Sequence, residues 1–218
     1  MNKFRSVLLG LALTFGGSTA AQAVTIVNGN FESGPAVGAG GFTTLGSGTS
    51  LPGWDITGGG VDYIGSYWTG AAGVGSHSID LNGNSSGAIS QTITGLTAGV
   101  NYVVSFFISG NPDNGKNPNP KSAVLLLGNT ADLISYTLTA QNTKTTMQWE
   151  QVSYSFLATG TTALLALTST TPGAYGLAVD NFSISAAPDA ATWLTMILGF
   201  GLVGAAMRRR PTFTRATA

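Results

Sequence analysis

The aromatic residues Tyr63, Tyr67 and Trp68 crowd together around Gly65-Ser66, with Asp62 directly before them and Asn82 downstream. Sugars present apolar C–H faces and hydroxyls, so rings beside a carboxylate and an amide suit a carbohydrate. The same rings could fill a core, the commoner fate of large aromatics in a chain of this size. Trp54, directly after Pro52-Gly53, and Trp149, in a predicted strand, read as core.

Two carboxylates are the candidates for a metal, Glu32 and Asp180. Asp180 lies between Val179 and Phe182, which have opposite parity, so alternation breaks and a β-bulge is expected at Asp180-Asn181. A carboxylate next to core residues needs a partner when buried. The other reading has Asp180 capping a turn and Glu32 in water. Asp80-Leu81-Asn82-Gly83 breaks the calcium-loop spacing of an EF-hand early.

Other catalytic chemistries are poorly served. There is no cysteine, which excludes thiolate metal sites and cysteine nucleophiles. Gly83-Asn84-Ser85-Ser86-Gly87 fits G-x-S-x-G in letters, but that motif needs a strand-to-helix turn, and here it joins two strand-like runs. The single histidine, His77, precedes Ser85, the wrong order for hydrolases that use this elbow. A glycosidase needs two carboxylates across the scissile bond. Glu32 and Glu150 are the only glutamates, and no pair stands out. The reading is a non-enzyme, and altering Glu150 or Asp80 would test the catalytic alternative.

The elements that must position these residues are strands. Short runs of Val, Ile, Thr, Tyr and Phe alternate with Gly, Asn, Asp and Pro clusters. Strands are predicted at 25–32, 53–56, 61–64, 76–81, 88–94, 101–109, 122–127, 134–139, 148–158, 162–168 and 177–185. Val152, Tyr154 and Phe156 share one face and Gln151, Ser153 and Ser155 the other, giving one buried and one wet side. The run 102–108 is apolar almost throughout, so both its faces are expected to be covered. The pattern predicts an all-β, two-sheet jelly-roll sandwich. The Pro/Asn/Gly stretch 110–120 reads as a mobile hairpin tip.

Both ends differ from this middle. Lys3 and Arg5, the apolar run 7–15 and Ala21-Gln22-Ala23 predict a signal peptide over 1–23, with the mature chain starting at Val24. At the other end an apolar run over 190–207 precedes Arg208, Arg209 and Arg210, and 211–218 form a basic tail. A spanning helix needs about 20 apolar residues, so this run is short, but the arginines favour a membrane segment with its C-terminus in the cytoplasm. Between the ends, residues 24–187 carry eight carboxylates against three lysines, a net of −5, although the whole chain sums to zero. Such a surface opposes nucleic acid, whose phosphates require basic patches.

The tail resembles the PEP-CTERM sorting signal processed by exosortase-type enzymes of Gram-negative bacteria, in which Pro-Glu-Pro is followed by an apolar helix and arginines. Pro188, Ala191-Thr192-Trp193, the helix and the arginines match, and the departure is at Asp189 and Ala190. The middle resembles the choice-of-anchor C domain. The matching residues include Asn28-Gly29-Asn30-Phe31-Glu32, Leu51-Pro52-Gly53-Trp54, Val61-Asp62-Tyr63-Ile64-Gly65, Ser78-Ile79-Asp80-Leu81-Asn82-Gly83, Ser109-Gly110-Asn111-Pro112 and Ala174-Tyr175-Gly176. That family is similar to galactose-binding-like jelly rolls, many of which bind polysaccharides. The resemblance implies a structural calcium on Glu32 and Asp180, a fit with calcium's preference for hard oxygen ligands.

The expectation is therefore a secreted, surface-anchored, non-catalytic sandwich. It is handled by an exosortase at the inner membrane of a Gram-negative bacterium and then held in the periplasm or at the cell surface. Its partner would be carbohydrate or exopolysaccharide. A structural or adhesive protein of the extracellular matrix, without a discrete ligand, is the alternative, and a polysaccharide-cleaving enzyme is the third reading.

Overall fold

A computed structural model describes residues 24–71, 75–187 and 190–208. The predicted signal peptide, Pro188, Asp189, Arg209, Arg210 and the tail 211–218 lie outside the described residues.

Twelve antiparallel strands form two six-stranded sheets. The first sheet runs in the order β1 (Phe42–Leu45), β4 (Val61–Ile64), β5 (Ser78–Asp80), β12 (Leu177–Ala186), β7 (Asn101–Gly110), β10 (Glu150–Leu157). The second runs β2 (Ser50–Leu51), β3 (Trp54–Gly58), β6 (Gly87–Thr94), β11 (Thr162–Ser169), β8 (Lys121–Leu127), β9 (Thr130–Tyr136). Inner-face residues of both sheets, among them Tyr63, Ile79, Ile89, Val104, Phe106, Leu125, Leu167 and Val179, build one continuous core. This is the predicted two-sheet sandwich.

The inner faces come from strict alternation. On β4, Val61 and Tyr63 point into the core, which leaves Asp62 and Ile64 on the outer face. Strand register then carries one outer row across the first sheet, Thr44–Asp62–Asp80–Ala178–Ser109. On β12, register with β7 shifts between Asp180 and Ser183, and Asn181 has φ 52°, so the bulge expected from the parity of Val179 and Phe182 is present. It lets both of those residues face the core.

Four expectations need correction. Residues 25–32 form a turn, because Asn28 (φ 50°) and Phe31 (φ 55°) lie in the left-handed region and the Phe31 N–H closes on the Asn28 carbonyl at 3.1 Å. Strands β1 and β2 were not expected, since they are short and sit in a Gly/Ser/Thr-rich stretch. The long strand β7 is fully covered on one face only: Tyr102, Val104, Phe106 and Ile108 are buried, whereas Val103, Ser105 and Phe107 are half-buried. A helix, α1 (Ala190–Arg208), does form over the C-terminal apolar run. The membrane crossing expected of it is not found, because no helix among the described residues is long and apolar enough to cross a membrane. Gly199, Gly201 and Gly204 dilute a run that was already short for a span. Phe200 and Leu202 on α1 are exposed.

Candidate functional site

The outer face of the first sheet holds the chemistry, divided into two acidic places by a plug. The connection from β4 to β5 lays Trp68 over the middle of this face. There it packs with Ile64, Met147 and Ala178, and its indole N–H donates to Ser78 Oγ at 2.8 Å. Trp68 is only 4% exposed. Trp149 packs against the same cluster and donates to the Thr69 carbonyl at 2.9 Å.

On one side of the plug lies a cleft of about 530 Å³. Its floor is Thr44 and Asp62, from adjacent positions on β1 and β4. Its rim brings rings from three separate segments: Phe42, Tyr67 and Tyr175. Asn84, Asn111, Asp113 and Asn114 add polar groups. Three contacts fix Tyr67. Its hydroxyl donates to Asp113, Lys144 Nζ lies 3.8 Å from the ring centroid, and Phe42 meets it edge-on at 4.9 Å. Lys144 also pairs with Asp113 at 3.1 Å. Asp62 accepts from Thr44 Oγ1 at 2.5 Å, and burial pushes its carboxyl above the usual carboxylate range despite that bond.

Beneath the cleft sits Asp80, fully buried and opposite Asp62 in the register. Three donors converge on it: the backbone N–H groups of Asn82 (2.9 Å) and Gly176 (3.0 Å), and the Asn111 amide (2.7 Å). Burial nevertheless raises its carboxyl to about 7, opposed by these bonds and assisted by Asp62. A side chain at Gly176 would place its Cβ 2.4 Å from oxygens of both Asp80 and Asn82, so only glycine lets the loop close here. Lys121 crosses underneath with a buried side chain and donates to the Tyr175 carbonyl at 2.8 Å. Burial lowers its ammonium to about 8, against the pull of Asp80 and Asp113. Asp80 and Lys121 thus fix the loop that carries Tyr175.

On the other side of the plug is Asp180, also fully buried and raised by burial to about 7. One of its oxygens accepts from the Ala71 N–H at 3.3 Å, and Oδ1 has no partner among the described residues. Glu32 lies close enough to push the Asp180 carboxyl up further. Its own oxygens are taken: Oε1 accepts from the N–H groups of Ser76 (2.9 Å) and His77 (2.8 Å), and Oε2 lies 3.0 Å from His77 Nδ1. Burial pushes the Glu32 carboxyl up, but these His77 and Ser76 contacts outweigh it and hold it below the ordinary value. A free, buried carboxylate oxygen suits a hard cation, whereas one ringed by N–H donors does not. Asp180 fits the expected calcium, and Glu32 as held here does not. No group of three or more His, Cys, Asp or Glu side chains converges among the described residues.

Of the predicted sugar-binding residues, the cleft brings together Asp62 and Tyr67. Tyr63 is core: it is buried and donates to the Phe31 carbonyl at 2.7 Å, and His77 stacks on its ring. Trp68 is the plug, and Asn82 is buried, with its amide N–H groups on the Thr171 and Gly173 carbonyls. The reasons differ, since Trp68 and Asn82 lie past the strand ends, where alternation does not apply. Alternation on β4 aims Tyr63 inward while its neighbour Asp62 points outward. Phe42, Tyr175, Asn111, Asp113 and Asn114 were missed. Three of them belong to the 110–120 stretch read as a loose tip, where an Asn/Asp-rich loop between apolar strands was the available signal. Glu150 is exposed on β10 and Asp80 is buried, so they do not form a pair across a cleft. Gly83–Gly87 is the expected turn between β5 and β6. Trp54 is core, as expected.

A second hollow, of about 330 Å³, lies at the other end of β8 and β11, lined by Gly128, Asn129, Phe156 and Leu157 among others, without a charged side chain.

The sandwich is similar to several solved structures at low identity. One is a family 61 carbohydrate-binding module in complex with β-1,4-galactotriose (15% identity, 73% of this chain and 96% of that one, TM-score 0.43). Another is a family 35 module from Paenibacillus barcinonensis (17%, 66% and 99%, TM-score 0.42). A third is the CBM22-1 xylan-binding domain of Xyn10C from the same organism (19%, 67% and 91%, TM-score 0.42). Among curated proteins, halomucin of Haloquadratum walsbyi is 36% identical over 190 residues, 84% of this chain, and the chain spans about 2% of that protein's length. The family model described as "Protein of unknown function (DUF642)" matches residues 24–185, from the turn at Asn28 through β12, and the chain belongs to that family.

Proposed function

We propose that the protein is a non-catalytic carbohydrate-binding module and that the cleft above Asp62 is its glycan site. The observation that carries this reading is the composition and rigidity of that cleft. Rings from three separate segments line it; the Tyr67 side chain is held outside any ligand by Asp113 and Lys144, and Lys121 holds the backbone that carries Tyr175. Sugars lose less affinity to ordering when the stacking groups are already fixed. Asp62 and Asn84 supply acceptors and donors for hydroxyls between those rings.

The chain is read as acting outside the cell: the 1–23 segment exports it, and the tail from Pro188 to Arg210 is a sorting signal for an exosortase-type enzyme. We propose further that the free oxygen of Asp180 takes calcium, with backbone carbonyls completing the shell; the ion would offset the charge of a buried carboxylate and so stabilise the fold.

The test is a polysaccharide and glycan array on the full chain with calcium present, followed by titration of any hit against Tyr67→Ala and Tyr175→Ala. Each variant is expected to lose at least about tenfold in affinity, about 1.4 kcal/mol, while the far-UV spectrum is retained. Unchanged affinity in both variants, or a blank array with folded protein, overturns the reading.

A further inference from the structure

We infer that the cleft selects uncharged, hydroxyl-rich glycan segments and rejects uronic-acid polymers, with Asp62 as the selecting residue. The inference rests on the reading of the cleft as a glycan site and names the class of sugar it takes.

The argument is an inventory of charge at the cleft. Asp62 presents a carboxylate at its floor. One oxygen accepts from Thr44 Oγ1, and the other accepts no hydrogen bond from the described residues. That oxygen can take a proton donor from a ligand, which a hydroxyl supplies and an ionised carboxylate does not. Asp80 lies directly across the register beneath and adds a second negative group on the same side.

Two of the lysines near the cleft already have partners among the described residues. Lys144 is committed to Asp113 at 3.1 Å and to the face of Tyr67. Lys121 is buried behind the cleft with its ammonium on the Tyr175 carbonyl. Asn111 on the rim is buried, with one amide N–H on Asp80 and its oxygen accepting from the Asp113 N–H. A carboxylate entering between Tyr67 and Tyr175 would therefore meet Asp62, while Lys144 and Lys121 are held by partners of their own. Like-charge contacts of this kind are how binding sites exclude a close analogue.

The experiment compares polymer pairs that differ at C6 alone: galactan, glucan and mannan, each against the polyuronate made by oxidising its own C6 hydroxymethyl groups. Affinity electrophoresis of the full chain at pH 8 and low salt reads all six. At least one neutral polymer is expected to retard the protein, and its uronate partner at least tenfold less. Asp62→Asn, close in shape to the original, should narrow that gap at least fivefold by strengthening uronate binding, with some loss on the neutral polymer. In wild type the gap should also shrink in 1 M salt, where exposed charges separated by more than about 3 Å are screened, so the claim does not depend on the variant folding. Equal binding of both members of a pair, or a gap unmoved by Asp62→Asn and by salt, overturns the selectivity while leaving the glycan site standing. No retardation by any of the six, with folded protein, overturns the glycan site and the selectivity together.

Discussion

Asp80 and Asp180 lie on the same outer face of one sheet, both fully buried and both raised by burial to about 7. Their surroundings differ in one respect. Three donors converge on Asp80, and each belongs to a segment that shapes the cleft. Asp180 has the Ala71 N–H on one oxygen, and Oδ1 has no partner among the described residues. A buried carboxylate whose lone pairs are used is a structural joint, and one with an unused oxygen lacks a partner. The perturbed pKa alone would not distinguish them, because burial dominates both; the hydrogen-bond count does.

The largest expected effect comes from removing what keeps the two places apart. Trp68→Ala deletes the ring that packs on Ile64, Met147 and Ala178 and leaves Ser78 Oγ without its donor. A buried Trp→Ala change costs about 3–5 kcal/mol. Urea unfolding should show that loss, with an m-value close to wild type. A loss under about 1 kcal/mol would mean that the ring is not core, and the earlier expectation of a sugar platform would return.

Asp80→Asn should come next. The new amide keeps one acceptor for the Asn82 and Gly176 N–H groups but turns a donor toward Asn111, whose own oxygen is held by the Asp113 N–H. Two donors facing each other in a buried site should cost about 2–3 kcal/mol, and loosening the loop that carries Tyr175 should weaken glycan binding as well. Stability equal to wild type with unchanged binding would show that Asp80 is no joint.

Alternation makes much of this legible in the sequence. The sandwich, the bulge at Asp180-Asn181 and the wet and dry faces of β10 all follow from local parity. What alternation could not supply was the assignment of each aromatic to the inner or outer surface where strands end and loops begin. Tyr63 lies one residue from Asp62, so its inward aim depends on which parity of β4 is buried. Tyr67 and Trp68 sit in a loop that folds back over the sheet, where period-two reasoning does not apply. Tyr175 and Asp113 reach the cleft from segments distant in sequence, through Asp80 and Lys121; the Asn/Asp-rich stretch 110–120 marks a loop but not what that loop closes on.

Asp180→Asn is a smaller change that tests the other half of the comparison. An acid whose pKa rises on folding favours the native state while protonated. That contribution is full below about 4 and is lost as pH rises toward 7. Wild type in chelator should therefore melt progressively lower between pH 5 and pH 8, and the variant should lose part of that slope. At pH 8 without calcium the variant should be more stable by about 1–2 kcal/mol, because no buried charge is left with an unused oxygen. Adding calcium should reverse the order by raising the wild-type melting temperature and leaving the variant unmoved. A wild type indifferent to calcium would remove the metal and leave Asp180 as a buried acid only.

Glu32→Gln should have the smallest effect, and its pH sign is opposite. Folding lowers the Glu32 carboxyl, so its contribution is present above the unfolded value and is lost as pH falls through the folded one. The side chain is partly exposed, and its bonds to Ser76 and His77 hold a surface loop, which limits the loss to about 0.5–1 kcal/mol near pH 7 and to nothing near pH 3. The two carboxylates at this corner also separate in calcium. If Glu32 serves the loop and Asp180 the ion, Glu32→Gln keeps the calcium-induced rise in melting temperature that Asp180→Asn abolishes. Loss of that rise in both variants would make them joint ligands, and the N–H groups on Glu32 would then have to give way when the ion binds.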